Sequence, residues 1–477
     1  MYHNFQDVSA HPIPLWLKQA KFGIYTHWGV YSVPACGPNG TWYPRFMYMP
    51  GTPQYEYHQT HYGPSHGYKD FIPMFTGEKF DPDEWAELFE HSGAKFAGPV
   101  GEHHDGFSMW DTQYSKWNCC NMGPKRDVVG LLEQSIKRRG MKFFVALHHA
   151  ENWFFFPKSP GLDTSNPSYS GLYSLPHQNP QDLWKSEFEK MEKPPSQLLD
   201  LWLNKTKEVI DRYSPDLLWF DSGLRFIRES YKEEMACYYY NQEQSWEKEV
   251  CIIYKHNDLP PGCGLVDIEV GRLGELAYHN WITDSTVDSA EGWSYIKNAS
   301  YKQPETLVHY LIDNVSKNGG LLLNVGPKAN GEIPEEAKYL LREMGDWLAV
   351  NGDGIYGTIP WAVYGEGPSQ FTKQGPYGGF GEQEVVRFTK EDIRYTVKDN
   401  CLYAIILSPA CGEVVLKKPA EILYHDEIRA VTLLGSDRPC PYRLDSRGLM
   451  VTLPDTPPCR YAVTVKIERN IPPFPGK

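Results

Sequence analysis

About eight short apolar runs punctuate residues 1–351, and most are separated by a segment of helical periodicity. Few folds accommodate that alternation. Strands that are apolar on both faces need cover on both, and intervening helices supply it while bringing consecutive strands parallel. Residues 21–28, 95–102, 142–147, 217–220, 250–254, 264–270, 281–284 and 319–326 read as strands. Residues 80–90, 127–139, 198–213, 229–249, 302–317 and 334–350 read as helices, the first capped by Asp81 with Pro82 behind it. Residues 50–73, rich in Tyr and His, read as loop. The strand count predicts an α/β fold, an irregular (β/α)8-like TIM barrel, irregular because clear helices are scarce between Cys251 and Tyr301.

With 477 residues the chain is too long for one compact core. Its pattern changes near Gly352, where short runs between turns take over: 384–388, 393–397, 402–407, 412–416, 428–434, 449–453 and 461–465. That spacing predicts a C-terminal antiparallel β-sandwich. The expected division is a barrel over 1–351 and a sandwich over 352–477.

Net charge is −13 with no long basic run, which argues against nucleic acid and anionic membrane surfaces as partners. No apolar run approaches the ~20 residues that span a bilayer. The N-terminus shows no signal-peptide pattern, and the ten cysteines show no Cys-x-x-Cys spacing. Free thiols and a cytoplasmic location are the expectation. Aromatic residues make up 14%, with 15 Trp and 31 Tyr. Rings that stack on sugars are one cause and large cores or a homo-oligomer interface are another.

The chemistry gathers at strand ends. Ser214-Pro-Asp-Leu-Leu-Trp-Phe-Asp-Ser-Gly223 is a short buried strand that stops at a carboxylate, with Trp219 and Asp221 on one face. Asp221 caps the next segment on the plain reading and does chemistry on the other. Three further strands end in histidine: His27, His103-His104 and His148-His149. Such histidines bind a metal or hydrogen-bond sugar hydroxyls. Adjacent His-His in a strand puts the rings on opposite faces, which favours sugar over a shared metal. No serine-nucleophile elbow, phosphate loop or dinucleotide fingerprint is present, so serine-nucleophile and cofactor chemistry have no support in the sequence.

Four stretches resemble the α-L-fucosidases of glycoside hydrolase family 29: Lys21-Phe-Gly-Ile-Tyr-Thr-His-Trp-Gly-Val-Tyr-Ser-Val-Pro34, Glu102-His-His-Asp-Gly-Phe107, Asp216-Leu-Leu-Trp-Phe-Asp-Ser-Gly223 and Val315-Ser-Lys-Asn-Gly-Gly-Leu-Leu-Leu-Asn-Val-Gly-Pro327. The resemblance implies an exo-acting, retaining enzyme that removes terminal α-L-fucose from glycosides or oligosaccharides. It implies Asp221 as nucleophile and a fucose pocket of His27, Trp42, His103, His104 and Trp219. His148 stands where the family often has a tyrosine, Thr41 where it commonly has Glu, and Glu102 where lysine is commoner. The acid/base lies in a variable region, and Glu269, Glu275, Asp288 and Glu291 compete for it. Glu269 is favoured because it alternates with Asp267 on the polar face of its strand; Glu275 lies in loop, and Asp288 and Glu291 are expected to face water. Two other readings use the same residues: a metal-dependent barrel hydrolase and a non-catalytic fucose-binding protein. Loops 47–73 and 153–178 would shape the aglycone side.

Overall fold

The computed structural model describes residues 1–177, 191–255, 257–289, 292–369 and 387–470. Eight parallel strands close into a barrel: β1 (Phe22–Thr26), β2 (Phe96–Glu102), β3 (Lys142–Leu147), β4 (Leu217–Phe220), β5 (Cys251–Lys255), β6 (Leu265–Asp267), β7 (Trp281–Thr286) and β8 (Leu321–Val325). They pair in chain order, and β8 returns to β1 with Ile24 opposite Leu323. The two-residue period sorts their side chains. Tyr25, Phe96, Phe144, Trp219, Ile253, Leu265, Ile282 and Leu322 fill the barrel interior. Ile24, Phe143, Leu218, Phe220, Ile252 and Leu323 point outward into a second core under the helices. At Gly98 on β2 a Cβ would lie 1.8 Å from the Phe144 carbonyl oxygen, so only glycine lets the strand pass this close to β3.

Helices Pro82–His91, Val128–Arg138, Ser196–Tyr213, Glu229–Asn241, Pro304–Ser316 and Glu335–Asn351 surround the barrel. Asp81 accepts from the Asp83 and Glu84 amides and Asp127 from that of Gly130, which satisfies donors a helix start leaves open. Among the described residues no helix lies between β5 and β7, in keeping with the expected irregularity. Residues 50–73 are not simply loop: Thr52 caps a helix, Pro53–His61, and a 3-10 helix follows at Tyr68–Met74. The Tyr- and His-rich helix has no apolar stripe, so periodicity could not reveal it. Residues 229–249 are two helices, the second Glu243–Trp246, with Glu247 in a left-handed conformation. The strand expected over 264–270 is only three residues long. Val270 takes φ +45°, and the chain bends over the end of β7, where the Ile268 and Val270 amides still donate to the Ile282 and Asp284 carbonyls.

The C-terminal strands are β9 (Ile359–Glu366), β10 (Ile393–Lys398), β11 (Cys401–Ile406), β12 (Gly412–Leu416), β13 (Ile428–Leu433), β14 (Tyr442–Asp445), β15 (Gly448–Leu453) and β16 (Val463–Arg469). They form antiparallel sheets of order β13-β16-β11-β10-β9 and β12-β15-β14, which share one core. β9 and β14 go beyond the sequence expectation; the run expected at 384–388 begins outside the described residues. Arg394 on β10 meets Asp313 of helix Pro304–Ser316 at 2.7 Å, and the Trp347 indole donates to the Ala462 carbonyl at 2.9 Å. Among the described residues no helix is long and apolar enough to cross a membrane.

Candidate functional site

One end of the barrel, where the strands finish, carries a narrow cavity of about 50 Å³. β1 delivers His27, β2 is followed by His103 and His104, β3 by His148, and β4 supplies Trp219 and then Asp221. β5 ends on Lys255, Glu269 follows β6, and β7 carries Asp284; Thr41, Trp42 and Trp293 come from loops. The favoured carboxylate pair, Asp221 and Glu269, and the six pocket residues expected from sequence therefore line this one cavity. In barrels of this kind the C-terminal strand ends are where chemistry is built.

Asp221 is the electrostatic centre. Its Oδ1 lies 3.1 Å from Lys255 Nζ, and its Oδ2 lies 3.3 Å from His104 Nε2 and 3.4 Å from His148 Nδ1. Burial pushes the carboxyl up, but the Lys255 ammonium and the two imidazoles outweigh it and hold Asp221 well below the usual carboxylate range. Lys255 also reaches Glu269 Oε2 and Asp284 Oδ2, each at 3.2 Å. Burial alone would strip its proton; the surrounding carboxylates of Asp221, Asp284, Glu269 and Asp267 instead push the ammonium well above the ordinary lysine value. Beneath it, the Trp219 indole donates to Asp267 Oδ2 at 2.6 Å and the Tyr25 hydroxyl to Asp284 Oδ2 at 2.9 Å. Burial lifts Asp284 to about 6 against the pull of Lys255.

Three of the histidines, His27, His103 and His148, are held neutral. Burial, then neighbouring imidazoles, keeps His27 and His103 well below the usual value, and burial takes His148 to about 4 despite Asp221. His27 Nδ1 faces the Asn324 side-chain oxygen at 2.8 Å, so that nitrogen carries the proton and Nε2 is left as an acceptor. His103 Nδ1 and His148 Nε2 are buried without a hydrogen-bond partner among the described residues. His104 Nδ1 donates to the His148 carbonyl at 2.9 Å, while Nε2 also faces Glu151 Oε2 at 3.2 Å.

Two expectations need correction. His103 and His104 do not point to opposite faces: β2 ends at Glu102, alternation no longer applies beyond it, and both rings face the cavity 4.2 Å apart. At His148-His149 the pair does separate, with His149 turned to the Trp202 carbonyl. Asp288 does not face water. It is buried, accepting from the Thr286 hydroxyl at 2.6 Å and the Gly292 amide at 2.9 Å, and serves a turn outside the cavity. Glu275 is exposed, and Glu291 lies outside the described residues. Glu102, at a commonly lysine position, turns away to pair with Lys205 at 2.8 Å.

Lys255, Asp284 and Trp293 were not foreseen. Lys255 sits one residue past the expected strand 250–254, and Asp284 closes a recognised strand, so the strand-end rule already pointed at both. Trp293 lies in a loop without periodic signal.

Two groups are spaced to hold a metal ion: His27, His103 and His148, and His104, His148 and Asp221, each with ligand atoms within 4.8 Å of one another. In the second group Lys255 already places a positive charge on Asp221, where it would repel a second cation.

Comparison with known proteins agrees with this architecture. The family model described as Alpha-L-fucosidase matches residues 2–353, and that of the Alpha-L-fucosidase C-terminal domain matches 387–468. Plasma alpha-L-fucosidase of Pongo abelii is 31% identical over 480 residues, covering 96% of this chain and 90% of its own. The Homo sapiens plasma enzyme is 30% identical with the same coverage. The crystal structure of Thermotoga maritima alpha-fucosidase in complex with fucose superposes with a TM-score of 0.77 at 27% identity, covering 98% of this chain and 100% of that one.

Proposed function

The chain belongs to the α-L-fucosidase family and is a glycoside hydrolase, and from that premise we propose an exo-acting, retaining enzyme with Asp221 as nucleophile and Glu269 as acid/base. Asp221 attacks the anomeric carbon as the bond to the leaving oxygen breaks, and Glu269 gives that oxygen its proton. A fucosyl ester on Asp221 results. Glu269 then takes a proton from water, which attacks the same carbon and releases fucose with its configuration retained.

The observation that carries this reading is the shared ammonium. Asp221 Oδ1 lies 3.1 Å and Glu269 Oε2 3.2 Å from Lys255 Nζ, so these two oxygens stand at most about 6.3 Å apart, short of the ~6.5–9.5 Å of inverting glycosidases and compatible with the ~5–5.5 Å of retaining ones. Ionised Asp221 suits a nucleophile. Neutral His27, His103 and His148 suit an uncharged polyol, to which each ring offers both donor and acceptor. Trp42 and Trp219 give that sugar apolar walls. The narrow cavity favours one terminal ring over a chain threading through.

We further assign the chemistry to a domain spanning 1–351 and an appended sandwich to 352–477. The ten free thiols support a reducing compartment, the cytoplasm.

Proton NMR of an aryl α-L-fucoside digest tests the mechanism: α-fucose should appear first and then mutarotate, whereas β-fucose first would exclude a covalent Asp221 intermediate. The same digest excludes a non-catalytic binding protein if any turnover is seen. The spacing of the histidine groups makes a metal-dependent hydrolase the second reading; loss of turnover on dialysis against a chelator, restored by zinc or manganese, would favour it.

A further inference from the structure

Of the four stretches that carry the family resemblance, residues 315–327 alone place no side chain in the wall of the fucose cavity. We propose that Asn324, within that stretch, is a positioning residue: its one buried amide sets which nitrogen of His27 meets the sugar and holds Trp293 against the cavity. The inference rests on the reading above that His27 contacts fucose.

Alternation along β8 turns Leu321 and Leu323 outward and Leu322 into the barrel interior, so Asn324 falls on the inward face. It is fully buried there, where a polar group needs partners, and it has four. Its Oδ1 accepts from the His27 amide at 3.1 Å and faces His27 Nδ1 at 2.8 Å. Its Nδ2 donates to the Trp293 carbonyl at 2.6 Å and to the Thr286 hydroxyl at 3.1 Å. The capacity of the side chain is used in full. The backbone settles which end is which. A backbone N–H only donates and a carbonyl only accepts, so the oxygen faces His27 and the nitrogen faces Trp293. The Thr286 hydroxyl agrees, since it gives its own proton to Asp288 at 2.6 Å. His27 Nδ1, opposite an oxygen, therefore carries the hydrogen, and Nε2 is fixed as an acceptor. The sugar hydroxyl that meets it must be the donor.

The same amide holds the other wall. Trp293 has φ +56°, a left-handed backbone that is costly for a bulky residue and persists only where its surroundings impose it. Its carbonyl is tied to Asn324 Nδ2, and its loop presses on the chain leaving β8: a Cβ on Gly326 would lie 2.6 Å from the Tyr295 nitrogen. The Trp293 ring so placed lines the cavity 5.5 Å from the His27 ring.

The test does not depend on turnover. In protein carrying nitrogen-15-labelled histidine, the His27 signal, identified by its loss in His27→Gln, should show Nδ1 protonated and Nε2 bare at neutral pH. A proton on Nε2 of the wild type overturns the inference. In Asn324→Leu, of similar size but without the amide, the proton should leave Nδ1 in part or whole, and an unchanged signal overturns the inference. Calorimetry then compares L-fucose with its 2-, 3- and 4-deoxyfluoro analogues, in which fluorine replaces a hydroxyl and cannot donate. One analogue should lose about tenfold or more in affinity for the wild type. That loss should shrink to within about twofold in Asn324→Leu while those of the other two persist. Losses identical in both proteins, or no binding of fucose by the wild type, overturn the role. If Asn324→Leu does not fold, the wild-type spectrum decides. If fucose binds but no fucoside is turned over, the catalytic reading fails on its own.

Discussion

At the scale of single residues, Lys255 does what a lone carboxylate cannot do for itself. Buried Asp221 would otherwise drift toward its protonated form, and the ammonium 3.1 Å away is the largest influence keeping it ionised, with His104 and His148 assisting. Lys255→Met removes that influence, so the carboxyl value rises and the acid limb of the kcat/KM profile moves to higher pH. The loss of a preorganised charge should also lower kcat/KM by about 10²-fold or more. A pH–rate profile checks both; an unmoved acid limb would mean that His104 and His148 suffice. Glu269→Ala separates the two proposed carboxylate roles. It should harm a fucosyl-saccharide far more than an activated aryl fucoside, let fucosyl-enzyme accumulate, and respond to azide with formation of α-fucosyl azide. Azide rescue in Glu275→Ala instead would move the role there and leave Asp221 untouched.

At the scale of elements, β2 illustrates how the barrel supports its mouth. Glu102 ends the strand fully buried, with Lys205 of helix Ser196–Tyr213 at 2.8 Å and the Ser108 hydroxyl beside it. Burial raises this carboxyl, but Lys205, His149 and Ser108 bring it below the ordinary glutamate value. A depressed carboxyl stabilises the fold above its unfolded value of about 4.3 and ceases to do so as pH falls through the folded one. Lys205→Met strands the charge and should cost about 3–5 kcal/mol at neutral pH. Without Lys205 burial raises Glu102 above its unfolded value of about 4.3, so urea unfolding should find the gap from wild type already shrinking above that pH and closing further as pH falls through the depressed wild-type value. The same strand shows what sequence carried and what it did not. Alternation and caps gave the barrel, because each strand end repeats one pattern: an apolar run, then a polar side chain. That rule reached His27, His103, His148, Asp221 and Glu269. It applied equally to Lys255, just past Tyr254, and to Asp284, and it misjudged the His103-His104 pair because a period of two holds only inside the ladder. Helix Pro53–His61 stayed hidden for want of an apolar face, although Thr52-Pro53 is a helix start.

At the scale of the whole molecule, barrel and sandwich meet through a buried charge cluster. Asp313 holds Arg394 at 2.7 Å and Lys317 at 2.9 Å, with the Lys317 ammonium 4.8 Å from the Tyr364 ring centre on β9. Burial would raise Asp313, but Lys317 and Arg394 keep it far below the usual range. Asp313→Ala leaves both cations buried without their carboxylate and should cost about 3–5 kcal/mol. Differential scanning calorimetry should show a lower Tm, with the single unfolding transition giving way to two as the sandwich uncouples; one unshifted transition would show that the cluster does not join them.

The proposed mechanism is tested most directly by trapping its intermediate. A 2-deoxy-2-fluoro-α-L-fucosyl fluoride slows both steps and the second more, so the fucosyl ester should accumulate. Peptide mass spectrometry should then find one fluorofucosyl unit on Asp221, absent from Asp221→Ala. A label on another carboxylate, or time-dependent inactivation with no label at all, would contradict Asp221 as the nucleophile.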